Sequence, residues 1–504
     1  MGAFSLTSFN FIVFFLATII FYYVIPNKMR WLWLLFSSMA FYVLSCGYRA
    51  LFFIISAVFV SYISSNLISI ISSFKIKRFV LLISILLLVG QLFFIKESGL
   101  LTSIVALMNP LKGFSPIDLT VPIGISYFTL SLIGYVVDVY RDTTSPQKNI
   151  LRHALFGSYF PLLTSGPIVR YTDMSHQLFD GNNFSIGNVS MGLKRMLFGY
   201  FKKMVIADRL ATVVLFVYND TESFGGFYLV IATLCYAFQL YTDFSGCIDI
   251  IIGASETLGI KLPENFKSPF YSLNISEFWR RWHITLGLWF KDYVFYPLLK
   301  TELLVKVGIQ CKKQFGKKIG KNIPTYLGLF LLWGMIGLWH GGTFKWMLAS
   351  GLLPFSYILM SETLGPLCKK MVQKLKIIVD CTSYRVFQRF RTLTLMCICW
   401  VFVCTSNIGM GINTYKSIFF SLNPLTLVDG GLFELGLDSQ ELIITIFGII
   451  VVLFIDYIKY KGENAREVLG KQNIVFQYLI LWIIALSIMF FGITNGSPFI
   501  YFQF

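Results

Sequence analysis

LLWGMIGLWHGG, residues 331–342, sets a single imidazole, His340, at the end of a hydrocarbon-like run and follows it with two glycines. A second such setting is EFWRRWHITLGLWFKDY, residues 277–293, around His283. The chain has only four histidines in 504 residues, so two of them in aromatic, apolar stretches call for an account. A lone histidine on an apolar face is usually a satisfied core residue, but an ionisable side chain at membrane depth is costly and marks function.

Working outward, the chain is 56% hydrophobic and 13% charged, with a mean hydropathy of +0.70. Soluble domains carry about 25% charged residues, so this composition describes a polytopic membrane protein. Aromatic residues make up 17%, which suits a helical bundle with many lipid-facing and interfacial rings. The alternating short strands of a barrel are absent. Apolar runs near the roughly 20-residue spanning length fall at 8–25, 31–46, 50–72, 79–95, 121–139, 226–241, 325–340, 344–360, 393–406, 441–458 and 475–493. Shorter pieces at 100–109, 154–169, 188–206 and 244–260 read as re-entrant or interfacial, with Pro161, Gly166, Pro167 and Gly253 interrupting them. Broken backbone at that depth is tolerated only where protein or a cavity surrounds it, which predicts a buried, water-accessible interior.

The net charge of +17 does not indicate nucleic acid, because the basic residues lie in short loops between apolar runs. Counting them puts the loops at 28–30, 75–78, 141–152, 300–321, 369–391 and 459–471 on the cytoplasmic side. The loop from Asn407 to Glu441 carries four acids, Asp429, Glu434, Asp438 and Glu441, against one lysine, so it is placed outside together with both termini. The first apolar run lacks a basic leader and a small-residue cleavage site, and reads as a retained span. No internal repeat or soluble segment is visible, so residues 1–504 read as one membrane domain. Nine cysteines show no metal-ligand spacing, and the Cys397–Cys399 pair lies in an apolar run as small buried thiols do. No metal site or permanently bound cofactor is expected.

The chemistry concentrates on a few side chains. With Pro324 near the cytoplasmic edge, His340 lies about 24 Å up a helix, past the bilayer midplane, and Gly341 and Gly342 let the backbone end there and approach a substrate closely. Burial disfavours the charged form, so such a histidine is competent as a general base. Around His283, Asn274 with Glu277 three residues on resembles a capping box. Trp279, Trp282, His283, Leu286 and Phe290 then share one side of an amphipathic helix, with Arg280, Arg281 and Lys291 around another. Its arginines and tryptophans suit an anionic, planar group, although interfacial anchoring explains the tryptophans equally well. His153, beside Arg152, and His176 read as loop histidines. Serine-hydrolase, zinc-protease, Walker and C-x-x-C motifs are missing.

Taken in order, VPIGISYFTLSLIGYVVDVYR (121–141), FPLLTSGPIVRY (160–171), YTDFSGCIDI (241–250), LPENFKSPF (262–270), EFWRRWHITLGLWFKDYVFYPL (277–298), GLWHGG (337–342) and the ending PFIYFQF resemble the membrane-bound O-acyltransferase family, and closely its alginate O-acetyltransferase branch. The resemblance runs over nearly the whole length. It implies an all-α bundle of about eleven membrane helices, with re-entrant and amphipathic helices around a central cavity. It also implies an enzyme that moves an acyl group, expected to be acetyl, from a cytoplasmic thioester to a hydroxyl. The donor is acetyl-CoA or another acyl thioester, including an acyl-carrier protein. The acceptor is a cell-envelope or extracellular polysaccharide, reached with an extracytoplasmic transferase partner, and the expected location is the cytoplasmic membrane of a bacterium, among its lipids.

By the same resemblance His340 is the hallmark histidine and His283 the second polar position. Trp279, Arg281 and Trp282 line the donor side, Trp339 joins the substrate-binding set, and Asn265 and Asp243 shape the cavity. Two departures stand out. LKTELLVKVGIQCKKQFGKKIG (299–320) replaces a glycine-rich loop, and GGTFKWMLASGLL (341–353) replaces an aromatic run ending near another histidine. D-alanyl transfer to teichoic acid uses the same chemistry and is the runner-up. A proton-relaying transporter is the reading from another class, disfavoured by the lack of paired repeats.

Overall fold

A computed structural model describes residues 4–96, 121–428, 430–494, 496–497 and 499–500. The apolar piece expected at 100–109, Asp429 and residues 501–504 of the quoted ending lie outside these. Every regular element among the described residues is helical, with no β-strand among them.

Nine helices among the described residues are long and apolar enough to cross a membrane: Asn27–Cys46, Tyr48–Ile70, Phe74–Ile95, Gly226–Thr257, Ile323–Gly341, Phe344–Lys374, Thr382–Cys404, Ser439–Tyr460 and Ile474–Phe491. Two shorter apolar helices, Phe9–Val24 and Ile125–Tyr140, join them among the described residues. Every run of spanning length in the sequence thus becomes a helix, as backbone in hydrocarbon must satisfy its own hydrogen bonds. The protein is a multi-pass membrane protein.

The chain divides into two compact units. The first comprises Met1–Tyr200, Cys247–Pro263 and Pro498–Gln503. Its centre holds an edge-to-face cluster of Phe11, Phe14, Phe41 and Phe160, with ring centroids 5.5–6.1 Å apart along the Phe11–Phe41, Phe41–Phe160 and Phe14–Phe160 pairs. Arg195 and Asp249 form a buried ion pair at 2.8 Å.

Two expectations are corrected in this unit. Gly253 does not interrupt anything: Gly226–Thr257 is one helix of 32 residues, and the pieces read separately as 226–241 and 244–260 are parts of it. A Cβ at Gly253 would lie 2.6 Å from the carbonyl oxygen of Gly192, and one at Gly192 would lie 2.5 Å from that of Gly253. The two glycines allow a close helix crossing, the use membrane proteins make of small residues. His153 and His176 are not loop residues either. His153 is fully buried on the helix Ile150–Ser158, with Nε2 2.6 Å from the Ser61 hydroxyl, and His176 is exposed on the helix Tyr171–Phe179. The Pro161 and Gly166 breaks do occur, bounding the short helix Phe160–Ser165.

The second unit comprises Phe201–Gly246, Glu264–Ser497 and Phe504. It opens with a π-helical stretch, Phe201–Ala207, that runs into the helix Asp208–Asn219. Its interior is a ring cluster of Tyr241, Phe244, Phe266, Phe270, Phe278, Trp282 and Trp400. The lysine-rich stretch read as a loop between 300 and 321 is a helix, Glu302–Gly320, kinked at Gly316, where φ is +75°.

Candidate active site

Every residue singled out in the sequence for chemistry lies in the second unit. Asn274 caps the helix Ile275–Arg281, accepting the Glu277 N–H at 2.9 Å. The Glu277 carboxylate accepts the N–H of Leu273, one residue beyond the N-cap amide that the reciprocal bond of a capping box would take. The amphipathic helix expected to carry His283 is not continuous. It ends at Arg281, Trp282 is extended, and His283 takes the left-handed conformation at φ 46°, ψ 51° before a second helix, Ile284–Phe290. A non-glycine residue in that region costs energy unless its surroundings impose it.

Asn265 imposes it. Its backbone oxygen accepts the Ile284 N–H at 3.0 Å, and its side-chain Oδ1 accepts the Thr285 N–H at 3.1 Å and the Thr285 hydroxyl at 3.0 Å. These bonds satisfy the first amide donors of the second helix. They also settle which end of the Asn265 amide is which, because a backbone N–H can only donate and so must face the oxygen. His283 Nδ1 lies 3.2 Å from that same Oδ1 and must therefore donate to it. The imidazole is held as the Nδ1–H tautomer, with the lone pair on Nε2. Burial pushes the His283 pKa well below the usual value, and the charge of nearby His340 pushes it the same way. Asn265 Nδ2 is buried and has no hydrogen-bond partner among the described residues.

Trp339 joins the two histidines. Its ring centroid is 6.3 Å from that of His283 and 4.9 Å from that of His340, steeply inclined to both. The Trp346 ring lies 6.4 Å from that of His340 and nearly parallel to it. His340 itself is half-buried, whereas His283 is buried. The helix Ile323–Gly341 ends as the diglycine suggests, with Gly342 left-handed at φ +66° and its N–H bonded to the Leu338 oxygen. Gly341 admits a close neighbour, the Trp346 indole, which a Cβ would meet at 2.1 Å.

The remaining expected residues divide. Trp282 stacks on Phe278 at 5.4 Å and Trp279 packs edge-on against Trp333 at 4.9 Å, the latter contact tying the His283 segment to the helix that carries His340. Arg281 points elsewhere, to Glu277 at 2.9 Å, to the Lys267 oxygen and over the Tyr460 ring. Asp243 holds Lys203 at 2.6 Å. The next residue, Phe244, presents its ring edge-to-face to His283 at 4.9 Å.

Sequence reasoning missed Lys203, Asp208, Thr285 and Trp346. Lys203 Nζ donates to Asp208 Oδ1 at 2.9 Å and Asp243 Oδ1 at 2.6 Å, both buried, and to the half-buried Ser497 oxygen at 2.8 Å. Two lysines followed by an aspartate in FKKMVIAD (201–208) carried the signal, since charges inside an apolar run survive only when paired.

The profile of the membrane-bound O-acyltransferase family matches residues 142–308. A protein of Pseudomonas putida named as a probable alginate O-acetylase is 30% identical over 416 residues, 78% of this chain and 77% of its own length. The chain belongs to the membrane-bound O-acyltransferase family. The peptidoglycan O-acetyltransferase of Helicobacter pylori is 35% identical over 45% of each chain. The teichoic acid D-alanyltransferase of Bacillus subtilis is 29% identical over 47% of this chain and 58% of its own. Apart from the Pseudomonas putida protein, the chain spans about half the length of the curated relatives it matches. Within this O-acyltransferase family member the matched profile takes in Lys203, Asp243, Asn265 and His283, while His340 lies beyond its end.

Proposed function

We propose that the chain is a membrane O-acyltransferase that moves an acetyl group from a thioester, entering from the cytoplasmic side, to hydroxyls of an envelope or extracellular polysaccharide. The observation that carries this reading is the pairing of His340 with His283 across Trp339, with His283 held in a single tautomer by Asn265. In the proposed step His340 takes the proton of the acceptor hydroxyl as its oxygen attacks the thioester carbonyl. The tetrahedral intermediate then collapses, the C–S bond breaks, and the thiolate leaves with the proton that His340 carried. A positioned base of this kind contributes about 10²–10⁴-fold. His283 Nε2, a hydrogen-bond acceptor, orients a donor N–H or the attacking hydroxyl. Asn265 Nδ2 is placed as a donor on the same side chain. Trp279, Trp282 and Trp339 supply apolar walls. The acyl donor is the group consumed, and an extracytoplasmic partner completes delivery to the polymer.

The names of the relatives favour acetyl over D-alanyl: the acetyl-transferring relatives are 30–36% identical and the D-alanyl-transferring ones 28–29%. D-alanyl transfer from a carrier-protein thioester is the second reading. The test is purified protein in proteoliposomes, supplied in parallel with radiolabelled acetyl-CoA and a D-alanyl-charged carrier protein. Acetyl-CoA cleavage that disappears in His340→Ala supports the proposal. Cleavage undiminished in that variant, or confined to the carrier thioester, overturns the catalytic assignment or the donor respectively.

A further inference from the structure

The helix Glu302–Gly320 has no role in the chemistry above, and its composition is unusual for a connector. It carries five lysines, Lys306, Lys312, Lys313, Lys317 and Lys318, against one acid, Glu302. Among them stand apolar side chains that the protein leaves uncovered: Leu303 is 71% exposed, Ile309 53%, Phe315 56% and Ile319 63%. The helix is packed at Leu304, which is buried, and at Gly308, which lies against Pro324 in the first turn of the Ile323–Gly341 span; past the Gly316 kink it turns back, so that Gly320 lies against the Cys311 backbone. Two residues, Lys321 and Asn322, separate the end of this helix from the start of that span.

These facts fix where the helix must be. A segment packed on the first turn of a membrane span, and joined to it by two residues, cannot leave the membrane surface. An exposed mixture of aliphatic, aromatic and lysine side chains at that level is the pattern of a helix lying in the interface, with its apolar groups in the acyl boundary and its ammonium groups among headgroups. Lysines extend their stems along apolar surface and hold the charge at the polar level. Lys306 is partly neutralised by Glu302 at 2.7 Å, and Lys312, Lys313 and Lys317 are exposed cations.

We propose that Glu302–Gly320 is an interfacial helix that binds the anionic headgroups of its own leaflet, recruiting acidic phospholipid around the start of the span that ends in His340. The occupant is anionic lipid and not an acidic protein, because the apolar side chains between the lysines have a hydrocarbon phase directly beneath them. Basic residues at such a surface each strengthen anionic lipid binding severalfold.

The full-length protein is reconstituted into nanodiscs of phosphatidylcholine with phosphatidylglycerol at a known fraction, with a photo-crosslinking phenylalanine analogue at position 315. Irradiation is followed by mass spectrometry of the adducts. The expected result is lipid adducts enriched in phosphatidylglycerol roughly tenfold over its share of the bilayer. That enrichment is lost in Lys312→Gln/Lys313→Gln/Lys317→Gln and restored in the triple Lys→Arg variant, which also shows that the substituted chain is folded. No lipid adduct at position 315, or adducts that follow the bulk lipid ratio whatever the charge at 312, 313 and 317, would overturn the proposal. So would crosslinking in cells that yields an acidic protein in place of lipid.

Discussion

Asn265 and His283 stand 18 positions apart in sequence, yet one oxygen of Asn265 both anchors the helix after His283 and receives the proton of His283 Nδ1 at 3.2 Å. The tautomer of the imidazole and the path of the backbone therefore depend on the same atom. Asn265→Ala removes both supports, leaving the buried Thr285 amide unsatisfied, at a cost of about 1–3 kcal/mol. Acyl transfer is expected to fall about 10–100-fold, the larger part in kcat, as measured by steady-state kinetics with acetyl-CoA. A change confined to KM would show that Asn265 only shapes the donor pocket.

His340 is half-buried and ends its helix, so its removal should leave the fold standing. His340→Ala and His340→Gln are expected to lower transfer about 10²–10⁴-fold with thermal unfolding close to that of the parent. Gel filtration in detergent and a melting curve, run beside the radiolabel assay, separate lost chemistry from lost protein.

Lys203 with Asp208 and Asp243 is a buried ion cluster, and removing one partner of such a group costs about 3–5 kcal/mol. Lys203→Met should therefore lower Tm sharply. Asp243→Asn added to Lys203→Met should cost less than the two single changes summed, a coupling read from a double-mutant cycle. Additive effects would mean that the ion pair contributes nothing of its own. Because Phe244 follows Asp243 and packs on His283, the single variants should also lose activity beyond what their melting explains.

His153 gives a pH dependence with a definite sign. Its burial pushes its pKa down to about 3, so the folded state holds it neutral while the unfolded chain protonates near pH 6.5. Below that pH the unfolded state binds the extra proton, and stability falls by about 1.4 kcal/mol for each pH unit between roughly 6.5 and 3. Above pH 6.5 the contribution is fully present. Melting curves from pH 7.5 to 4.5 should show a decline that is shallower in His153→Phe; the buried His283, whose pKa is also lowered, contributes in the same direction and remains. An unchanged slope would mean that His153 is protonated in the folded protein.

The spans were legible because lipid forces a simple rule, about 20 apolar residues per crossing, and the chain obeys it from Phe9 to Phe491. The two site histidines were legible for the same reason, as polar groups where polar groups are expensive. What was not legible came from partners distant in sequence. The break at Trp282–His283 is set by Asn265, and no local pattern announces it. Gly253 looked like an interruption because the glycine opposite it, Gly192, lies on another helix. His153 looked like a loop residue because Arg152 beside it is charged; the Ser61 hydroxyl that receives it is 92 positions away. The lysines of Glu302–Gly320 resemble a loop because they are charged and closely spaced, while the packing at Leu304 and Gly308 involves Pro324, which follows the segment in sequence.

The left-handed turn at His283 narrows what this codon can become. Asparagine and glycine tolerate φ near 46° and would keep the chain's route while discarding the ring. Alanine, glutamine or a branched residue would disturb route and ring together. A lineage that abandoned the chemistry but retained the scaffold would thus be recognisable by Asn or Gly at position 283, a signature that distinguishes a retired enzyme from a collapsing one.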